Sequence, residues 1–455
     1  MRFPSRPAVI ATLAALALTS CGTGADPGAG SVSLTIAANS ISGGKNSESA
    51  DWIKRWVIPE FERTHRNVKV LFQPSGVDDE QYKTKIALDL KSRAGADVID
   101  IDGIWVGEFA QAGYIKPLPE VGGPTVEQWE GWSQIPQAVQ SLGIFDGRKY
   151  GLPQGTDGRV LFYNKALFAK AGLTGPWQPK SWQDIIDAGT RLKAAGVPVP
   201  IQIDAGTAMG EATTMQGVLP LLAGAGSEIY AAGKWTGASR SLKDALGLYR
   251  QIYGGSGLGD PRLQQEAKGR DKSFAQFAAG KIGILAESDY FWRSVVEPRA
   301  GVAPMKDRDQ VVGYAKIPAE RPGAGIRGQD FVSMSGGAVR VLNPYSKNPR
   351  LAWDLLAFMH SAAATKAQLA GQARISSRAD VNDEVLTADP MLKFVADEVL
   401  PLTAYRPGLA VYPQVSAALQ EATAAVVSGT SPDEAAAAYQ AKLEELVGGP
   451  AHVGG

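Results

Sequence analysis

The sequence predicts an α/β protein with mainly parallel sheets and helices on both sheet faces. Two observations carry this. Segments rich in β-branched residues alternate with segments of helical periodicity, the order that builds parallel sheets through crossover helices. The alternation starts at "SVSLTIAAN" and begins again near "GLPQGTDGRVLFYNKALF", so the 455 residues divide into two αβ regions. That length suits two or three domains, or two lobes sharing one chain.

The first region opens on the strand "SVSLTIAAN". A helix follows over "ESADWIKRWVIPEFERTH", where Trp52, Trp56 and Phe61 at roughly helical spacing face a core. "NVKVLFQP" is a second strand, "DEQYKTKIALDLKSRAG" a helix and "DVIDIDGIW" a third strand. "EFAQAGYIKPL" is a short helix that Gly113 ends. The second region carries helices at "SWQDIIDAGTRLKAAG", "MQGVLPLLAGAG" and "SLKDALGLYRQIYGG". In "FAQFAAGKIGILAESDYFW" a helix, a glycine stop and a strand succeed one another. Strand-like "QVVGYAKIP" and "FVSMSGGAVRVL" come next, then the helix "NPRLAWDLLAFMHSAAATKAQLA". The end of the chain is helical, through "VSAALQEATAAVVSG" and "SPDEAAAAYQAKLEELV".

Residues 1–21 read as a leader. Arg2 and Arg6 precede an apolar run from Ala8 to Leu18 that is too short to span a bilayer, the pattern of an export signal. It ends in "LTSC", which resembles the bacterial lipobox and makes Cys21, the sole cysteine, a lipidation site. The Gly/Ala/Pro stretch 22–31 reads as a flexible tether.

Composition excludes several functions. Lys+Arg and Asp+Glu balance at 46 each, which argues against nucleic acid as a partner. Three scattered histidines and one cysteine make no metal site. "GAGIRG" at 323–328 matches a dinucleotide fingerprint in letters only, because it does not link a strand to a helix. No cofactor is expected.

What remains is a constellation at strand ends, where open α/β sheets bind ligands. In "ADVIDIDGIW", Asp100 and Asp102 share a face while Val98, Ile99 and Ile101 read as core. Asp97 is expected to cap the strand start and Asp100 to serve as a hydrogen-bond partner of a neighbouring helix. Asp102 and Trp105 are expected at the ligand. Asn39, Ser40, Asp157, Asp289, Tyr290, Trp292, Gly336, Gly337 and Arg406 occupy comparable positions. Carboxylates bind sugar hydroxyls strongly and aromatic rings lie well on pyranose C–H faces. An anionic ligand would call for clustered arginines or lysines, which the sequence does not display.

"DVIDIDGIWVGEFAQAGYIKPL" resembles the signature region of the extracellular solute-binding proteins, family 1, of ABC sugar importers. The similarity continues through "YGLPQGTDGRVLFYNKALFAKAGL", "SWQDIIDAGTRLKAAG", "FAAGKIGILAESDYFW", "SKNPRLAWDLLAFM" and "SGTSPDEAAAAYQAKLEEL". Within the family the chain is similar to the maltose- and trehalose-type binders of actinobacteria. The resemblance implies a two-lobed periplasmic-binding-protein-like fold of class II, with a hinge and a sugar held between the lobes. It implies that Asp157 contacts sugar hydroxyls, that Tyr290 stacks on the ring with Trp292 beside it, and that Asp102, Trp105 and Arg406 face the cleft. Ser288 departs from the family, whose close members often carry an aromatic there.

The expected lobes are 32–155 plus 314–360, and 156–313 plus 361–450. The expected protein is a monomeric receptor, lipid-anchored on the extracytoplasmic face of the membrane. It would pass an α-glucoside or other small oligosaccharide to an ABC permease. A secreted glycosidase using a carboxylate pair is the competing reading, since Asp100 and Asp102 lie about 7 Å apart along one strand. An adhesion or scaffold lipoprotein is a third, and it predicts no saturable small-molecule binding.

Overall fold

A computed structural model describes residues 32–454 apart from 45, 78, 300 and 371–373. The leader, Cys21 and the tether lie outside the described residues. The expected alternation builds two sheets. One has the order Val68–Pro74, Val32–Ala38, Val98–Asp102, Ala338–Leu342, Gly151–Pro153; the other runs Val312–Ala315, Arg159–Asn164, Ile282–Ser288, Val199–Gln202. Period two sorts the third strand as its sequence demands. Ile99 and Ile101 enter a core layer with Tyr82 and Phe109, and Val98 enters the opposite layer with Leu34 and Ile36. The helices Trp182–Ala194, Arg240–Tyr253 and Tyr412–Val427 contribute to a third core layer together with the second sheet. The first of these helices starts at a capping box made by Ser181 and Asp184.

Both sheets are mixed. Val32–Ala38 is parallel to both its neighbours, as expected, but Ala338–Leu342 is antiparallel to the strands on either side. In the second sheet Arg159–Asn164 is likewise antiparallel to both neighbours. The physical reason is that these strands arrive from the other lobe, so no right-handed crossover helix sets their direction. The helix expected over 48–65 runs continuously over 47–64 but takes a π turn at Ile53–Val57, just before Pro59. A similar turn, Thr213–Val218, precedes Pro220; proline lacks the N–H that the α-helical ladder needs.

The chain passes between lobes at three places, and these form the hinge. The first crossing, after Gly151–Pro153, runs through Gly155, which bridges Ser376 on the third. The second is Gly336–Gly337, between Phe331–Ser335 and Ala338–Leu342. This corrects the lobe boundary expected at 314. Val312–Ala315 lies inside the second sheet, and Phe331–Ser335 pairs with Ile317–Pro318 and Thr403–Tyr405. The boundary at 360 also moves, because Ala362–Leu369 packs against the first-lobe helices Ser47–Trp52 and Pro349–Met359.

Gly337 is required where it stands. Its φ is +154°, and a Cβ would lie 2.4 Å from the Gly155 carbonyl oxygen. Its own carbonyl accepts the Gly103 N–H at 3.0 Å, tying the hinge to the third strand. Gly337→Ala is expected to cost about 1–3 kcal/mol, measured by urea unfolding; an unchanged midpoint would mean the crossing relaxes freely.

Candidate functional site

A cleft of about 400 Å³ opens at the hinge, at the carboxyl ends of Val32–Ala38 and Val98–Asp102. Seven of the residues expected from sequence line it: Asn39, Ser40, Asp102, Trp105, Asp157, Gly336 and Gly337. Asp102 ends its strand by capping the turn Gly103–Trp105, one oxygen accepting the Ile104 N–H at 3.0 Å. Burial raises its pKa above the usual carboxylate range. Arg406 opposes that rise, while Asp79 and Asp157 add to it.

Asp157 stands on the first crossing. Its Oδ1 accepts from Arg159 Nη1 at 2.5 Å and from the Gly336 N–H at 2.8 Å. Arg159 belongs to the second sheet and is anchored by Gln216 at 3.0 Å and the Met334 carbonyl at 3.2 Å. The carboxylate is thus fixed from two sides. Side chains with unmet hydrogen-bonding capacity lie in the same cleft: Ser40 Oγ and Asn39 Oδ1 are buried and have no partner among the described residues.

The strand-end residues 289–292 depart from expectation. Asp289, Tyr290 and Trp292 do not line the cleft. Asp289 is 1% exposed, and its carboxylate accepts the Gly158 N–H at 3.0 Å and Arg293 Nε at 2.9 Å. Tyr290 sits between the guanidinium groups of Arg270 and Arg293, 5.8 and 5.5 Å from its ring centre. Trp292 is buried, donates to both oxygens of Asp389 at 3.1 Å and lies under Arg308. The cause is local. The chain turns helical at Phe291–Val295, and each residue of such a turn points in a new direction, so Trp292 enters the core while Arg293 reaches the cleft. The aromatic groups that do line the cleft, Tyr82 and Trp105, are 3% and 5% exposed, so their faces are given to the core.

Arg406 lines a second groove of about 1170 Å³ with Phe145, Tyr230 and Tyr405. It also borders the cleft: a Cβ on Gly336 would lie 3.5 Å from Arg406 Nη2 and 3.9 Å from Asp157 Oδ1. Arg406 Nη1 donates to Glu211 at 3.0 Å, and Glu211 also accepts from Tyr412 at 2.7 Å and Ser416 at 2.5 Å. Burial works against the Arg406 charge, but Tyr412, Glu211 and Asp102 outweigh it and hold the group firmly ionised.

Sequence reasoning missed Glu48, Asp79, Gln154, Arg293 and Arg374, all of which line the cleft. Asp79 at the start of a helix accepts from Asn39 Nδ2 at 3.0 Å, a pairing with no sequence signal. Asp97 and Asp100 are structural, as expected. Asp97 accepts the Thr35 N–H at 2.8 Å and the Ser346 hydroxyl at 2.5 Å. Asp100 pairs with Arg340 at 3.0 Å, although the partner is on a neighbouring strand rather than a helix. Among the described residues, no group of three His, Cys, Asp or Glu could hold a metal ion, and no helix is long and apolar enough to cross a membrane.

Comparisons with known proteins fit this geometry. The family described as bacterial extracellular solute-binding protein matches residues 45–366. The sn-glycerol-3-phosphate-binding periplasmic protein UgpB of Agrobacterium fabrum is 28% identical over 159 residues, 34% of each chain. A solute-binding protein of an ABC transporter from Thermotoga lettingae, bound with alpha-D-tagatose, superposes with a TM-score of 0.66 at 24% identity, covering 92% of this chain and all of that one. The sugar-binding protein MalE of Xanthomonas citri gives a TM-score of 0.74 at 17% identity, covering 92% and 98%. At these identities the structural likenesses carry the fold: two lobes and a hinge.

Proposed function

We propose that this chain, which belongs to the bacterial extracellular solute-binding protein family, captures a sugar in the hinge cleft and delivers it to the permease of an ABC importer. One observation carries the reading. Asp102 from the first sheet and Asp157, bound to Arg159 of the second sheet, face the same cleft. A polyhydroxylated solute hydrogen-bonded to both would stabilise the closed arrangement, because only there do both lobes touch it. The fold relatives are named for tagatose and for sugar binding, and UgpB for a glycerol phosphate. A cleft of about 400 Å³ suits one or two sugar rings better than a long oligosaccharide.

Membership of the family places the protein outside the cytoplasm. Attachment through a lipid on Cys21, with the body working as a monomer, belongs to the same proposal. So does a division into a first lobe near 32–155 and 337–370 and a second lobe from the remaining residues to about 450.

A thermal-shift screen against mono- and disaccharides tests the reading. A ligand at 100 times its Kd should stabilise the fold by about 2.7 kcal/mol, and a panel without any shift would count against sugar capture. Asp157→Ala should weaken the best ligand by about 1.5–3 kcal/mol while leaving unfolding cooperative; unaltered affinity would remove Asp157 from the site. The glycosidase reading loses its carboxylate pair, because Asp100 is committed to Arg340. Product formation from disaccharides would restore it.

A further inference from the structure

We propose that the solute held in this cleft carries an anionic oxygen group, a carboxylate or a phosphate, received by Arg293 and Arg374. The proposal rests on the reading of this cleft as the sugar site and narrows its substrate class. The two arginines are remote in sequence but line the same cavity. Arg293 leaves the turn Phe291–Val295 of the second lobe. Arg374 stands on the third crossing, two residues before Ser376, whose backbone bridges Gly155.

Arg374 differs in its bonding from the other cations at the hinge, and Arg293 keeps one end of its guanidinium unused. Arg159, Arg340 and Arg378 each hold a carboxylate, on Asp157, Asp100 and Asp380. Arg374 is exposed and, among the described residues, makes no hydrogen bond or ion pair. Arg293 uses Nε for Asp289 and Nη1 for Ser294, and its Nη2 has no partner among the described residues. A guanidinium is a planar fork matched to carboxylate and phosphate oxygens. Both guanidinium groups line one cavity, and Arg374 has no ion-pair partner among the described residues. Partial burial and the charge of Arg293 lower its pKa, with Glu48 and Asp289 pulling the other way.

The cleft is uneven in charge. Asp102 feels two carboxylates, Asp79 and Asp157, and one cation, Arg406, whereas Arg374 feels one cation, Arg293, and two carboxylates, Glu48 and Asp289. Asp289 is already paired with Arg293, so an anionic end of the solute would meet the remaining Arg293 Nη2 and Arg374, while its hydroxyl groups meet the carboxylates near Asp102. Ser40 Oγ, buried and unpartnered at the cleft wall, can donate to either. Stacking is not available as an alternative anchor, since Tyr82 and Trp105 turn their faces to the core.

Isothermal titration of the full chain with matched ligands tests this: glucose against glucuronate and glucose 6-phosphate, galactose against galacturonate. The charged member of a pair should bind at least about tenfold more tightly at low ionic strength, with the advantage shrinking as salt is added. Arg374→Gln should abolish that advantage by weakening the charged ligand at least about tenfold more than its neutral counterpart, with the melting temperature of the unliganded chain unchanged. The uronate and phosphate arms decide which anion is preferred. Equal or tighter binding of neutral sugars, or equal loss of neutral and charged binding in Arg374→Gln, would overturn the anionic proposal while sparing sugar capture. Absence of binding by every sugar, charged or neutral, would overturn both.

Discussion

Replacing Arg340 with methionine is expected to destabilise the protein by about 3–5 kcal/mol, because it strands a buried carboxylate. Arg340 is 1% exposed and distributes its guanidinium among three partners. Nε donates to Asp100 at 3.0 Å, Nη2 to Gln154 at 2.8 Å, and Nη1 lies 3.3 Å from His360 Nε2. The Trp52 ring covers it at 4.9 Å. Burial raises the Asp100 pKa and lowers that of Arg340, and each partner offsets the other's penalty. Burial, assisted by Arg340 and Arg378, also holds His360 well below its ordinary pKa, so it is neutral and can accept a hydrogen bond. The attraction offsets desolvation only while both charges are present. Arg340→Met combined with Asp100→Leu should therefore recover most of the loss, since an apolar pair carries no desolvation penalty. Urea unfolding of the single and double variants measures this. A single-variant loss below about 1 kcal/mol, as for an exposed pair, would refute the assignment. Gln154 lines the cleft, so the same network also holds the cleft floor.

The contrast between Asp100 and the missed arginines shows where sequence reasoning reaches. The strand "ADVIDIDGIW" could be sorted from its own letters. Period two fixes which residues share a face, and the strand's end fixes where a ligand can approach, so Asp97 and Asp100 read as structural groups and Asp102 reads as the residue at the open end, where it lines the cleft. The identity of Asp100's partner was not legible, because the Ala338–Leu342 strand inserts into the sheet from the far end of the chain. Sheet direction failed for the same reason: local pattern marks strands, but a return from another lobe decides how they pair. At 289–292 the sequence ran from a strand into aromatic residues, and the strand end was legible while the turn that follows it was not. One helical turn exchanges Trp292 for Arg293 at the cleft. Arg374 carried no local sign at all. Its position follows from the third crossing folding back on Gly155, a contact between distant segments.

Stability should fall as pH rises from about 4 to 7, and Asp204→Asn should abolish much of that fall. Asp204 follows the strand Val199–Gln202 and is 1% exposed, and its Oδ2 is buried without a partner among the described residues. Oδ1 accepts from Gln202 at 3.3 Å, and Gln264 closes the cluster through Gln202 and the Ala205 N–H. The neighbouring Glu287 is committed to Arg270 by two bonds, at 2.5 and 2.9 Å. Burial and the Glu287 charge therefore push the Asp204 pKa up to about 7, with Arg270 and the Gln202 hydrogen bond opposing. An unfolded aspartate titrates near pH 3.9. Between that value and about 7 the native state binds more protons than the unfolded state, so unfolding free energy falls with rising pH. Below the window both states are protonated and no penalty exists; above it the penalty is complete, about 2–4 kcal/mol. Asparagine keeps an oxygen for Gln202 and removes the ionisation. Relative to the parent, Asp204→Asn should gain stability steadily from pH 4 to pH 8, read from urea midpoints across that range. A constant offset between the two proteins would show that Asp204 is ionised throughout, and the buried cluster would then have to be redrawn with a second cation compensating it.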